Sequence, residues 1–541
     1  MPMISNSRLR GAGEKRSRSN KPFILLVAFF LTANVGMRFI RINSDSPALP
    51  NKFRNVAPYK DEGAKAHESR NRALFGSWQP HPLDNYRFWS VQSPVWSYSL
   101  VLWFKAFGVS YASLRALSIV CALITLLAGA VALYRAGYRF GGLVFPVILG
   151  LNFYYVVFTR LGLMEPMVVL WMTLSAAFLA FARHNRVSYI LATAFLLAAI
   201  LAKSSAFLFF PVWAVFSVIF LWDRAVKPAG QRDWNSAAPV IGGAVVLLAG
   251  LGLFFSSGSY RDVTDLSVRH GFGLHGGLSM ESILDLMSQL LSSFKPDALW
   301  RGYFLMLPSA SLLGAGWIAY ILWRAVNRKK VSDLEWICLG WFALGRAAAA
   351  AAPYQVVRFH LYYFAPLAML ASVAADRLWN LEGNPINNEG HGSRPAVFAG
   401  RAAVTALLAY ELLMTAVPWH DWVAHPRYDI VEASRRLGAV LEKEEITTGR
   451  TPVVIGEWIG PLSLENRMNC HYVKDRFNGS RRQLEAFGIT HLLESTTRYD
   501  PAVGRYKKQH PEIYAERTLV AEFPVRRRRL KLWRVPLVSV K

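Results

Sequence analysis

Cysteine is scarce in this 541-residue chain: Cys121, Cys338 and Cys470 are its three thiols, and they stand far apart. That spacing excludes a disulfide framework and a thiolate metal site. Acidic residues are also few, 35 against 61 Lys and Arg, and charged residues of both signs make up only 18%. A soluble multidomain protein would spread its apolar residues along the chain. Here they form 53% of it and fall in blocks of roughly twenty, the length of a helix that crosses a bilayer. The formal charge of +26 suggests nucleic acid as a partner, but the basic residues concentrate in the termini and in short loops between apolar blocks. Membrane topology accounts for that placement, so no nucleic acid is implied.

The basic N-terminus (Arg8, Arg10, Lys15, Arg16, Arg18, Lys21) leads into an apolar span, Phe23 to Phe39, too long for a signal-peptide core. An uncleaved anchor with a cytoplasmic N-terminus is expected. Further spans are expected near 112–134, 141–158, 166–182, 188–202, 205–222, 237–256, 303–323, 334–351, 359–376 and 397–418, about eleven in all. The loops with Arg135/Arg139, Arg183/Arg186, Arg224/Lys227/Arg232 and Arg324/Arg328/Lys329/Lys330 then fall inside. The 41–111 loop, the 257–302 loop, the turns at Glu165, Lys203 and Arg358, and the chain past about residue 419 fall outside. Ser97–Phe107, with Trp96, Tyr98 and Trp103, suits an amphipathic helix lying at the interface. In the tail, Pro452–Gly456, Thr490–Glu494, Thr518–Phe523 and Leu530–Val535 read as strands between helices near 430–443, 480–487 and 508–515. The fold class expected is therefore a polytopic α-helical membrane protein with a C-terminal extracytoplasmic α/β domain. Its parts are a cytoplasmic N-terminus (1–22), a transmembrane domain with the large external loop 41–111 (23–418) and the external domain (419–541).

Asp61 and Glu62 stand side by side in the polar 41–111 loop, with Lys65, His67, Arg70 and Arg72 close behind. On a helix Asp61, Lys65 and Glu68 share one face while Glu62 points elsewhere. Such a pair serves equally as an exposed helix start, with acids favoured at the N-terminus. What favours chemistry is company at the same membrane face. Arg160 and Glu165 bracket a turn before Pro166, and Lys203 interrupts an apolar hairpin. Arg358 and His360 open the tenth span beside Tyr354, Tyr362 and Tyr363. Topology flanks, snorkelling and aromatic-belt placement are the ordinary roles of these residues; contact with a lipid phosphate or a sugar is the sharper one. No His, Cys or carboxylate cluster has metal-ligand spacing, although an acidic external site leaves room for a divalent ion.

In order and spacing these features resemble the GT-C membrane glycosyltransferases that use polyprenyl-phosphate sugars, the branch of protein O-mannosyltransferases and lipid A aminoarabinose transferases. The matching residues are Tyr59-Lys60-Asp61-Glu62, Ser93-Pro94-Val95-Trp96, Leu114-Arg115-Ala116-Leu117-Ser118, Thr159-Arg160-Leu161-Gly162-Leu163-Met164-Glu165-Pro166, Leu201-Ala202-Lys203 and Arg358-Phe359-His360-Leu361-Tyr362-Tyr363. They cover most of residues 20–376. Ser93-Pro94 replaces the usual paired prolines, and Glu165 the commoner Asp. The resemblance implies an inverting displacement with Asp61 as base for the acceptor, and Glu62 and Glu165 orienting the acceptor or holding the base and its cations. Lys203, Arg358 and Arg160 are then cations for the departing lipid phosphate, and Tyr59, Lys65, His360 and Tyr362 substrate contacts. No cofactor is implied. The implied partners are a polyprenyl-phosphate sugar, a lipid, glycan or protein acceptor and membrane lipids, at a bacterial inner membrane. Protein O-mannosylation on Ser or Thr is the alternative within the class. A transporter or flippase for lipid-linked substrates is the alternative outside it, although no inverted repeat is visible and Arg346 is the one ionisable residue at expected mid-membrane depth.

Overall fold

The apolar blocks fold as helices. The structure is a computed structural model describing residues 21–47, 59–183, 185–225, 234–266, 306–351, 357–380, 394–473, 476–495, 507–526 and 528–536. The basic N-terminus to residue 20, Lys227 and Arg232, most of the 257–302 loop and Tyr354 lie outside the described residues. After α1 (Lys21–Phe39), α2 (Tyr59–Phe75), α3 (Phe88–Gln92) and α4 (Pro94–Phe107) form the polar loop's own helices. The helical body continues with α5 (Tyr111–Arg135), α6 (Arg139–Ile148), α7 (Phe153–Arg160), α8 (Glu165–Phe181), α9 (Arg186–Ala202), α10 (Phe210–Ala225), α11 (Trp234–Ser256) and α12 (Gly258–Leu266). It closes with α13 (Pro308–Val326), α14 (Asp333–Ala351), α15 (Leu361–Trp379) and α16 (Arg394–Ala424). Each of the eleven expected positions carries helix within its described residues. Among the described residues five helices qualify by length and composition to cross a membrane: Tyr111–Arg135, Ser204–Asp223, Ala237–Ser256, Pro308–Val326 and the apolar window of Pro395–Thr448. A sixth qualifies if α6 and α7, bent by 68°, count as one span; α1, α8 and α9 contribute shorter apolar helices.

α15 lies at the centre, buried without interruption from Leu361 to Asp376. A helix that is apolar all round needs such a position. α11 is the opposite case, with Leu253, Val246 and Val245 exposed along its length, an apolar surface suited to lipid. The α6–α7 break frees backbone carbonyls, and buried side chains satisfy them. Arg38 donates to Gly150 O at 2.9 Å, Asn34 to Pro146 O at 3.3 Å, and Asn152 to both Met306 O at 2.6 Å and Glu411 at 2.7 Å. Glu411, inside the expected span 397–418, is buried, as Arg346 is. α4 is two-sided, with Trp96, Leu100 and Phe104 buried and Tyr98, Leu102 and Phe107 exposed.

The tail forms a five-stranded sheet in the order β2-β1-β3-β5-β4. β1 (Val453–Gly456) pairs in parallel with β2 (Asn469–Tyr472) and with β3 (His491–Ser495). β5 (Arg528–Arg534) runs antiparallel to β3 and to β4 (Thr518–Val525). Four strands match the sequence reading. β2, Asn-Cys-His-Tyr, contains no β-branched residue and went unread. Around the sheet lie α17 (Asp429–Thr448), α18 (Ile459–Leu462), α19 (Arg481–Phe487) and α20 (Pro511–Ala515).

Candidate active site

α2 is a polar helix in a buried place. Asp61 and Glu62 occupy its first turn, where the helix N-terminus favours negative charge. From Glu62 to Asn71 every residue is buried, between α4 on one side and α18 on the other. Buried charges persist only when paired, and each finds a partner on a different element.

Glu165 is the centre of the arrangement. It begins α8, fully buried, and its carboxylate receives Lys203 at 2.7 Å, Arg358 at 3.2 Å and Lys65 at 3.3 Å. The three cations come from three places: the residue between α9 and the 3-10 turn Ser204–Phe209, the 3-10 turn Val357–His360, and α2. Arg358 also reaches Asp61 Oδ2 through Nη1 at 2.7 Å, so one guanidinium bridges both carboxylates. With Lys65 protonated, three cations against two carboxylates leave one positive charge in excess. Asp61 is the member open to solvent, its side chain 35% exposed. Burial, reinforced by Arg358 and Lys203, brings the Lys65 ammonium down to about 7, even though Glu165 and Asp61 pull the other way. Phe359 and Tyr362 wall the cluster: Lys203 Nζ lies 5.0 Å and 5.7 Å from their ring centroids. The Tyr362 hydroxyl accepts from Ser205 at 2.8 Å. Among the described residues no group of three or more His, Cys, Asp or Glu side chains is placed to hold a metal ion.

The other assigned residues lie differently. Glu62 turns away from Asp61 and takes Arg115 of α5 in two parallel bonds, 2.9 Å from Nε and 3.0 Å from Nη2. It also accepts the Gly162 N–H at 2.8 Å. Arg115 Nη1 spans to Ile42 O and Ser44 O, both at 2.8 Å, so this pair ties α2, α5 and two connections together. Arg160 is not among the cations on Glu165. It ends α7 over the Trp422 ring at 4.1 Å and bonds Ser44 Oγ at 3.0 Å and the Arg41 carbonyl. His360 pairs with the Tyr363 hydroxyl. Tyr59 opens α2, and its side chain lies outside the described residues. Glu68, on the Asp61 face by spacing, instead accepts the N–H groups of Trp89 and Ser90 at 2.8 and 2.9 Å and caps α3. Sequence reasoning gave Arg115 no role; the signal available was a lone arginine at the start of an apolar helix.

The arrangement can bind an anion beside a carboxylate open to solvent. No protein-family model and no curated protein sequence matches the chain. Solved structures do. ArnT from Cupriavidus metallidurans, bound to undecaprenyl phosphate, is similar over 97% of this chain and 100% of that one, with a TM-score of 0.54 at 14% identity. The oligosaccharyltransferase of Archaeoglobus fulgidus, tethered with an acceptor peptide, is similar over 88% of this chain and 69% of its own, with a TM-score of 0.53 at 12% identity. A further structure, AglB of the same organism with an inhibitory peptide and a dolichol-phosphate, covers 88% and 70%, with a TM-score of 0.51 at 13% identity. The chain shares the fold of these structures, in line with the resemblance in its motifs.

Proposed function

We propose that the chain transfers a sugar from a polyprenyl-phosphate donor to an acceptor, with inversion, at the extracytoplasmic face of a bacterial inner membrane. The reading draws on the sequence expectation of eleven spans and a cytoplasmic N-terminus, under which Glu165, Lys203 and Arg358 share that face with the 419–541 domain. The observation that carries the reading is the set of three cations on buried Glu165, one of them shared with Asp61. A similar fold is solved with undecaprenyl phosphate bound.

Lys203 and Arg358 hold the donor phosphate, with Lys65 beneath them, and stabilise the charge it gains as the anomeric bond breaks. A phosphate is a stable leaving anion, so no strong general acid is needed. Asp61 takes the proton of the acceptor hydroxyl or amine as the new bond forms on the opposite face of the sugar. While Arg358 grips Asp61, that carboxylate is a weak base. A donor phosphate competing for the guanidinium loosens the grip and readies it. Glu165 positions the cations, and the Glu62–Arg115 pair fixes the helix that carries Asp61. Arg160 is an additional phosphate cation in this scheme only if the donor's phosphate extends towards Ser44.

The test is sugar transfer by the purified protein in lipid, from a panel of radiolabelled polyprenyl-phosphate hexoses and pentoses with membrane extract as acceptor. One donor is expected to react, Asp61→Asn to lose transfer while still binding it, and Lys203→Ala to bind it more weakly. Turnover preserved in Asp61→Asn removes the base. No transfer from any donor by folded protein moves the reading to a carrier of lipid-linked substrates.

A further inference from the structure

The C-terminal sheet has a topological switch point at β1, whose parallel neighbours β2 and β3 lie on opposite sides. In open α/β sheets the segment leaving such a strand usually holds a ligand. Here it lies along α2. Glu457, next after β1 and nearly buried, pairs with Lys60 at 2.8 Å. At Gly460 and Pro461 two backbones come so close that a Cβ on Gly63 would meet Pro461 Cα and N at 2.2 Å. Two turns further along α2, buried Arg70 donates to three carbonyls of the same segment, Ser463 at 2.8 Å, Asn466 at 3.0 Å and Met468 at 2.9 Å. Pro461 and Glu465 also hold the start of α5, accepting from the Tyr111 hydroxyl at 3.0 Å and its N–H at 2.8 Å. Three separate devices (an ion pair, a glycine contact and a guanidinium on carbonyls) thus fasten one helix to one segment along its length.

We propose that the Glu457–Met468 segment positions the candidate catalytic helix, and that Glu457 is a positioning residue for Asp61, acting through Lys60. The C-terminal domain is then part of the active-site scaffold, and its switch-point segment serves α2. The assignment to Asp61 rests on the transferase reading; the fastening of α2 does not. A helix held at Lys60 fixes the next residue, Asp61, and a displacement of about 1 Å in a reacting group can cost on the order of a hundredfold in rate.

Two readouts on the full chain in lipid nanodiscs test this. In the transfer assay, Glu457→Gln is expected to lower kcat by roughly tenfold with the donor KM unchanged, within that range for misplaced groups. The exchanged pair Lys60→Glu/Glu457→Lys is expected to recover most of the loss. In amide hydrogen exchange, Gly63→Ala is expected to speed exchange across 62–70, because the two backbones must part. Should Gly63→Ala fail to fold, the exchange profile of Glu457→Gln decides in its place. Unchanged exchange of α2 overturns the fastening, whatever the transfer assay gives. Faster exchange in a protein whose wild type transfers nothing keeps the fastening and removes the transferase reading. A kcat unchanged in Glu457→Gln, or a loss that the exchanged pair does not recover, overturns the role of Glu457.

Discussion

Glu165→Gln is the sharpest test of the charge arrangement, because one neutral amide replaces the carboxylate that Lys203, Arg358 and Lys65 share. Breaking a buried pair by removing one partner costs about 3–5 kcal/mol, since a charge is left uncompensated. Which end of that range applies depends on how many cations are stranded. Arg358 keeps Asp61 at 2.7 Å. Lys65, at about 7, is mostly neutral at pH 8 and strands no charge there. Lys203 alone is then left, and the expected loss is about 3 kcal/mol at pH 8. At pH 6 Lys65 is protonated in the wild type, so the same substitution strands a second ammonium and the loss moves towards about 5 kcal/mol. Reversible unfolding by detergent titration at the two pH values measures both. A loss below about 1 kcal/mol, the range of an exposed ion pair, refutes the argument that these cations need the carboxylate. So does a loss independent of pH.

Lys65 makes a second pH test. Its folded value, about 7, lies below the ordinary 10.5, so between them the unfolded chain holds the extra proton and this group's contribution to stability rises with pH. A bound anion favours the charged form, so affinity for a polyprenyl phosphodiester, whose own charge is constant in this range, should fall by up to about tenfold per unit above pH 7. Lys65→Arg should be flat; an equal slope in that variant rules Lys65 out. Arg115→Met leaves Glu62 buried with the Gly162 N–H and should destabilise by about 3–5 kcal/mol. The double variant with Glu62→Gln should cost less than the two single losses added, by about 0.5–3 kcal/mol, and strict additivity would show the pair uncoupled. Arg38→Met should loosen the α6–α7 break, seen as faster amide exchange near Gly150, and unchanged exchange there would show the break held by its other partners.

What could be read from the sequence was the cost of putting a charge in an apolar place. Lys203 and Arg358 stood out because each interrupts or opens an apolar block, and Glu165 because Pro166 marks a helix start directly behind it. All three meet in the structure. Arg160 satisfied the same criterion and went elsewhere, to Trp422 and Ser44, because spacing in sequence does not say which way a side chain at a helix end turns. Glu62 shows the same limit from the other side. Its neighbour relation to Asp61 was plain, yet its partner lies 53 residues away on α5. Gly63 is the extreme case. In sequence it is only a weak helix former inside a polar helix, and its reason for being glycine sits almost four hundred residues downstream, at Pro461. Charge in the wrong solvent is a local property and can be read locally; complementarity between two surfaces is a joint property of both. The helices and cations of the site belong to the first kind. The fastening of α2 to the C-terminal sheet belongs to the second, so a boundary drawn near residue 419 from the end of the last apolar block could not register how closely the chain beyond it supports the residues before it.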